Sequence, residues 1–101
     1  MKRVQALWSA EALVDLETIY EFLAEQSPQA AQNVIEKILS RVRQIETFPE
    51  SGAMQPTLKS TDKEYRYLVE GNYKIIYSIA DQQAYIAIVF DTRYDPDKLK
   101  V

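Results

Sequence analysis

The pair Ser27-Pro28 separates two stretches in which apolar residues recur every three or four positions. Such spacing is typical of amphipathic helices. Serine caps the unpaired N–H groups at a helix start, and proline fits the first helical position because it has no N–H to leave unpaired. The pair therefore ends one helix and begins the next. Two helices joined this tightly form an antiparallel hairpin, and its apolar sides need another layer to cover them.

Both helices have recognisable starts and ends in the sequence. Ser9 favours an N-cap, and the first helix is predicted to end near Gln26. The second helix is predicted over 28–47, because Pro49 and Gly52 stop helical structure soon afterwards. The carboxylates of the first helix are interpreted as its solvent-exposed side; they include Asp15, Glu17 and Glu21.

Strand-like runs, most of them rich in Tyr, Ile and Val, precede and follow the two helices in the sequence. Residues 49–62 are predicted to form a loop, and the breaks between the later runs are short enough for hairpin turns. The order β-α-α-β-β-β predicts an α+β fold in which the helical hairpin packs on one face of a small, mainly antiparallel sheet. At 101 residues, the chain 1–101 is expected to form a single domain. The predicted strands are 2–8, 64–69, 73–79 and 84–90.

Composition narrows the possible chemistry, because histidine and cysteine are both absent. Their absence excludes a Cys/His zinc site and a Ser-His-Asp triad, and we expect no metal and no cofactor. The net charge is −3 with both signs mixed along the chain, so we expect no direct binding to free DNA. No apolar run approaches the roughly 20 residues that cross a bilayer. We therefore expect a cytoplasmic protein without a membrane partner.

Six short sequence segments, spread in order over almost the whole chain, form a combination that is typical of one protein family. They are the helix segment 12–20, the helix start 27–31, Phe48-Pro49 with Gly52, Arg66 with Leu68, the strand 72–79 that contains Tyr-Lys-Ile-Ile-Tyr, and the closing strand 88–93 that ends in arginine. Together they resemble the RelE/ParE toxin superfamily of type II toxin–antitoxin systems, and in particular its ParE-like members. The resemblance implies a growth-inhibiting toxin, of the kind that stabilises plasmids, neutralised by a cognate antitoxin protein.

The resemblance leaves the target open between the ribosome and DNA gyrase. RelE-like members cleave messenger RNA on the ribosome with a cluster of basic residues, whereas ParE-like members poison DNA gyrase. If the chain is a nuclease, the resemblance points to Arg93, and to Lys74 in a position where many members have arginine. The family's C-terminal catalytic tyrosine has no clear counterpart here, and Tyr94 beside Arg93 is the residue that could take its place. However, Tyr65 and Tyr67 stand where RelE-like nucleases carry lysines. This difference favours a ParE-like binding toxin, with a ribosome-dependent endonuclease or an inactive family member as the alternatives.

The alternation of side chains along a strand predicts which candidate residues share one face of the sheet. Lys74, Ile76 and Ser78 are predicted to share the face turned away from the helices. Arg66, Lys74 and Arg93 have an alternative interpretation as solvated strand residues paired with nearby carboxylates, of which Asp91 is one. The predicted surface for a target or an antitoxin comprises Tyr65, Arg66, Tyr67, Lys74 and Arg93.

Overall fold

The computed structural model describes residues 3–55 and 64–93. In that part of the chain, the predicted order of helices and strands is confirmed, with one addition. A two-residue strand lies within the segment 49–62, for which the sequence predicts only a loop. The elements are β1 (Gln5–Trp8), α1 (Ala10–Ala24), α2 (Pro28–Thr47), β2 (Ala53–Met54), β3 (Tyr65–Glu70), β4 (Tyr73–Ala80) and β5 (Gln83–Asp91).

The strands form one sheet in the order β1-β5-β4-β3-β2. β1 runs parallel to β5, and the other neighbours are antiparallel, as predicted for a mainly antiparallel sheet. The turn between β4 and β5 places Asp81 and Gln82 at positive φ. Positive φ at both central residues matches the right-handed twist of the two strands and allows a tight hairpin.

Both helices begin where the sequence predicts. The Ser9 hydroxyl accepts the N–H of Ala12 at 2.9 Å, and the Ser27 hydroxyl accepts the N–H of Ala30 at 3.1 Å. These bonds satisfy backbone donors that have no partner inside the helix. Apolar residues of both helices and of the central strands then form one core on a single sheet face, as predicted; it includes Ala12, Ile38, Val42, Ile45, Ile75, Tyr77, Ile86 and Val89.

Asp15 does not belong to the solvent-exposed side of α1, and that part of the sequence interpretation was wrong. Its Oδ2 accepts the backbone N–H of Val89 at 3.0 Å. Because β1 ends at Trp8 opposite Ile86, the later part of β5 has no strand on that side within the described residues. The backbone N–H and C=O groups on this edge of β5 therefore need other hydrogen-bond partners. Asp15 supplies one, and the Ser9 hydroxyl supplies another by donating to the Ala87 carbonyl at 2.8 Å.

Replacing Asp15 with alanine should lower the free energy of unfolding by about 1–3 kcal/mol, because the Val89 N–H loses its acceptor in a half-buried position. Urea denaturation monitored by circular dichroism measures this change. Glu17→Ala is the matched control, since Glu17 is exposed on the same helix, and its effect should stay within about 0.5 kcal/mol. Equal effects of the two variants would contradict the assigned role of Asp15.

Candidate functional site

The sheet face turned away from the helices carries a second apolar cluster. At its centre Ile76 is 0% exposed, although neither α1 nor α2 packs against it. Ile76 lies opposite Tyr67 of β3 on one side and opposite Ile88 of β5 on the other. Aromatic and aliphatic side chains of β3 and β5 pack against it, and the predicted alternation of β4 is confirmed. We name the five residues the open-face cluster: Tyr65, Tyr67, Ile76, Ile88 and Phe90.

Lys74 adds a positive charge to the open-face cluster. Its Nζ lies 3.9 Å from the centroid of the Tyr67 ring, which is a cation–π contact. Its backbone is paired with Val69 of β3 and Phe90 of β5, so its aliphatic stem crosses apolar surface. Partial burial lowers the pKa of Lys74, because desolvation disfavours the ammonium form. The structure thus brings Lys74 and Tyr67 together, as the sequence predicts.

Arg93 follows β5 at the end of the sheet that also holds Lys74. Its Nη2 lies 2.7 Å from Oδ2 of Asp91, and its Nε donates to Oδ1 at 3.0 Å. Hydrogen bonding from Arg93 lowers the pKa of the Asp91 carboxyl. The alternative interpretation, in which Arg93 pairs with a nearby carboxylate, is confirmed for this residue. Tyr94, the third residue proposed for a nuclease, lies outside the described residues.

Arg66 lies on the other face of β3 from Tyr65 and Tyr67. The reason is the two-residue period of a strand, which sends neighbouring side chains to opposite faces. The Arg66 guanidinium donates from Nη1 to the Gly52 carbonyl at 2.9 Å and to the Glu50 carbonyl at 3.4 Å. The structure therefore does not bring Arg66 together with the open-face cluster. Instead, the Arg66 side chain binds the segment that follows α2.

Tyr77 holds the same segment from the core side. Its hydroxyl donates to the Pro49 carbonyl at 2.8 Å and accepts the N–H of Gly52 at 3.0 Å. The ring is fully buried, and this burial raises the pKa of Tyr77. We name Pro49, Gly52, Arg66 and Tyr77 the loop latch. Sequence reasoning noticed these residues as a family pattern, but it did not predict that they bind one another.

A groove that sequence reasoning missed lies between α1 and the later part of β5. Its volume is about 650 Å³. Phe22 of α1, which is 51% exposed, lies along it. Glu11 and Asp15 add carboxylates from the same helix. One sequence feature could have indicated this groove. Acidic and apolar residues are mixed around α1, whereas a helix with one buried and one solvated side would separate them.

Residues 3–55 and 64–93 hold neither a cluster of metal-ligating side chains nor a helix suited to a membrane. Within these ranges no three carboxylates are close enough together to hold a metal ion. None of the helices in the same ranges combines the length and the apolar character that crossing a bilayer requires.

Comparisons with known proteins agree on one family. A family model described as the ParE toxin of the type II toxin–antitoxin system parDE matches residues 6–96. The fold is similar to a chain from the solved structure of the chromosomal ParDE toxin–antitoxin system of P. aeruginosa. That match has a TM-score of 0.71 and 17% identity, and covers 88% of this chain and 96% of the other. A search of curated proteins gave no significant match. Since the family model covers most of the sequence, the chain belongs to the ParE toxin family of type II toxin–antitoxin systems.

Proposed function

We propose that the chain arrests bacterial growth in the cytoplasm by docking the open-face cluster onto a target protein such as DNA gyrase, and that a cognate antitoxin neutralises it. The observation that carries this proposal is the aromatic face itself. Ile76 is buried although neither of the two described helices covers it, and Tyr65 and Tyr67 pack around it. Tyrosine is enriched at the centres of protein interfaces, because its large ring buries apolar area while its hydroxyl still forms hydrogen bonds.

The charges near the open-face cluster favour binding over RNA cleavage. Cleavage at a phosphate without a metal ion needs cations directed at the charge that develops in the transition state. Lys74 lies over the Tyr67 ring, and Arg93 forms a two-pronged pair with Asp91. Both cations therefore have partners on the protein. Docking on a protein surface needs no further cation, whereas a nuclease would have to release these two.

One observation supports the endonuclease as the second candidate. The lowered pKa of Lys74 moves its amine towards the neutral form, which can accept a proton from a ribose hydroxyl. In that case Lys74 would act as the base and Arg93 would stabilise the phosphate, with Tyr94 as the third catalytic residue. The ribosome would then be the target in place of gyrase. An inactive family member that only binds its antitoxin is the remaining alternative.

Tyr67→Glu tests the docking proposal in a supercoiling assay with purified DNA gyrase. The substitution places a carboxylate in the open-face cluster and removes the ring beneath Lys74. Loss of an aromatic residue at the centre of an interface costs about 2 kcal/mol or more. We therefore expect the half-inhibitory concentration to rise at least about tenfold, the change that 1.4 kcal/mol produces.

Tyr20→Glu is the matched control for this assay, because Tyr20 is a half-exposed tyrosine of α1 on the helix side of the sheet. We expect it to inhibit gyrase as the native chain does. If Tyr67→Glu inhibits gyrase as strongly as Tyr20→Glu, the open-face cluster is not the docking surface. If the native chain leaves gyrase active, gyrase is not the target.

A further inference from the structure

The strands divide their charged side chains unequally between the two faces of the sheet. β1 and β2 contain no charged residue. Glu70 of β3 and Asp91 of β5 both lie opposite Tyr73, which belongs to the core below the helices. Directly opposed residues share a face, so both carboxylates are on the helix side, as is Arg66. Within the described strands, Lys74 is therefore the only charged residue on the face that carries the open-face cluster.

The surroundings of Lys74 are apolar. It lies directly opposite Val69 of β3, which is 49% exposed, and opposite Phe90 of β5. Its Nζ contacts the Tyr67 ring, and the two strand carboxylates are each bound to an arginine. Desolvation in this setting lowers the pKa of Lys74, because it disfavours the ammonium form. Among the described residues, no carboxylate forms an ion pair with Lys74.

We propose that the target presents a single carboxylate side chain to Lys74, set in an otherwise apolar surface that covers Val69 and Phe90. This pairing rests on the proposed function, because it requires a protein target at the open-face cluster. Docking removes water from the ammonium group, and a partner without an anion there would leave a buried cation uncompensated. A carboxylate removes that penalty and also fixes the orientation in which the two surfaces meet.

A protein carboxylate fits this surface better than the phosphates of a nucleic acid. Every nucleotide carries a negative charge, and proteins bind the backbone with several cations placed along it. The described strands offer one cation on this face, and the net charge of the chain is −3. Base stacking on the aromatic rings supplies no attraction for the remaining phosphates. One cation within an apolar surface instead matches one anion within an apolar surface.

Charge reversal in cells tests the pairing whatever the identity of the target. Lys74→Glu is compared with Lys37→Glu, which changes the net charge equally at an exposed position of α2. At equal protein levels, with both variants folded by circular dichroism, we expect Lys74→Glu to abolish growth arrest and Lys37→Glu to retain it. Equal arrest by the two variants would overturn the carboxylate pairing and leave the docking proposal in place. Absence of arrest by the native chain would remove both.

Resistant bacteria then locate the partner carboxylate. Cells that survive while still producing the native chain are selected and sequenced. We expect substitutions that exchange one surface aspartate or glutamate of the target for lysine, and we expect Lys74→Glu to arrest these cells again. A catalytic role of Lys74 would not give this charge-swap rescue, because the glutamate would remain a poor substitute for the amine. Resistance that never involves a carboxylate of the target would overturn the proposal.

Binding to purified DNA gyrase measures the size of the effect. We expect Lys74→Gln to raise the dissociation constant at least about tenfold relative to Lys37→Gln, because it leaves the partner's carboxylate buried without a cation. Lys74→Arg keeps the charge and should recover part of the loss. Equal constants for the two glutamine variants would overturn the pairing. A single-stranded DNA oligonucleotide is the second probe: binding by the native chain that Lys74→Gln abolishes would assign Lys74 to a phosphate and overturn the carboxylate.

Discussion

Replacing Gly52 with alanine is expected to lower the free energy of unfolding by about 3 kcal/mol, at the upper end of the usual cost of overpacking. A Cβ at this position would lie 2.5 Å from the Tyr77 hydroxyl oxygen and 2.7 Å from the Tyr67 carbonyl oxygen. The carbonyl belongs to the backbone of β3, so it moves only if the strand moves. Urea denaturation of the purified chain, monitored by circular dichroism, measures the change.

Gly71→Ala is the control for this variant, because it separates lack of space from backbone conformation. A Cβ at Gly71 meets nothing within 4 Å, but the residue has φ of +60°. The left-handed conformation costs a residue with a side chain about 1–2 kcal/mol, so Gly71→Ala should be the milder change. A free energy of unfolding for Gly52→Ala within about 0.5 kcal/mol of the native value would show that the loop latch has room to adjust.

Tyr77→Phe is expected to lower the free energy of unfolding by about 2 kcal/mol or more, because it leaves two backbone groups without their partner. The Pro49 carbonyl loses its donor and the Gly52 N–H loses its acceptor. The ring itself stays in place and fills the same volume. Tyr20→Phe, at a half-exposed position of α1, should change stability by less than about 0.5 kcal/mol. Equal stabilities of Tyr77→Phe and the native chain would show that water replaces the hydroxyl.

The Gly52→Ala and Tyr77→Phe changes should not add. Removing the Tyr77 hydroxyl takes away the atom nearest to the new Cβ, and the Tyr67 carbonyl remains as the second close contact. A double-mutant cycle should therefore give a combined loss smaller than the sum of the two single losses, by about 0.5–3 kcal/mol, as is usual for residues in contact. Strict additivity would mean that the two residues stabilise the segment after α2 independently.

Much of the fold could be predicted because local signals and tertiary structure agree. Ser9 and Ser27 form the caps that their positions indicate. The alternation of β4 places Ile75 and Tyr77 in the core below the helices and Ile76 on the opposite face, as expected. Each of these predictions depends on residues close in sequence, whose spacing fixes their direction once the helix or strand has formed.

The missed features depend on contacts between residues far apart in sequence. Asp15 has the spacing of a solvated residue, yet it accepts a hydrogen bond from Val89 across 74 positions. The strand β2 has two residues and is held by β3, so its own sequence carries too little pattern to predict it. Arg66 also has the sequence pattern of a surface residue. Its hydrogen bond to the Gly52 carbonyl joins positions 14 residues apart, so local sequence does not indicate it.

The candidate site was predictable only in part, for the same reason. Period-two alternation correctly placed Lys74 on the open face, and the register with β3 brought it to Tyr67. The groove beside α1 could not be predicted, because it exists only where β1 stops before β5 does. Edge strands left uncovered in this way commonly accept another chain.

Induced expression in bacteria is the most direct test of a toxin that docks through the open-face cluster. Growth, message integrity and the DNA damage response are followed together for the native chain, Tyr67→Glu, Lys74→Ala and Arg93→Ala. We predict that the native chain arrests growth with a DNA damage response and intact messages, and that Tyr67→Glu abolishes both effects. Cleaved messages that disappear with Arg93→Ala would contradict this account and establish the nuclease, and absence of arrest by the native chain would identify an inactive family member.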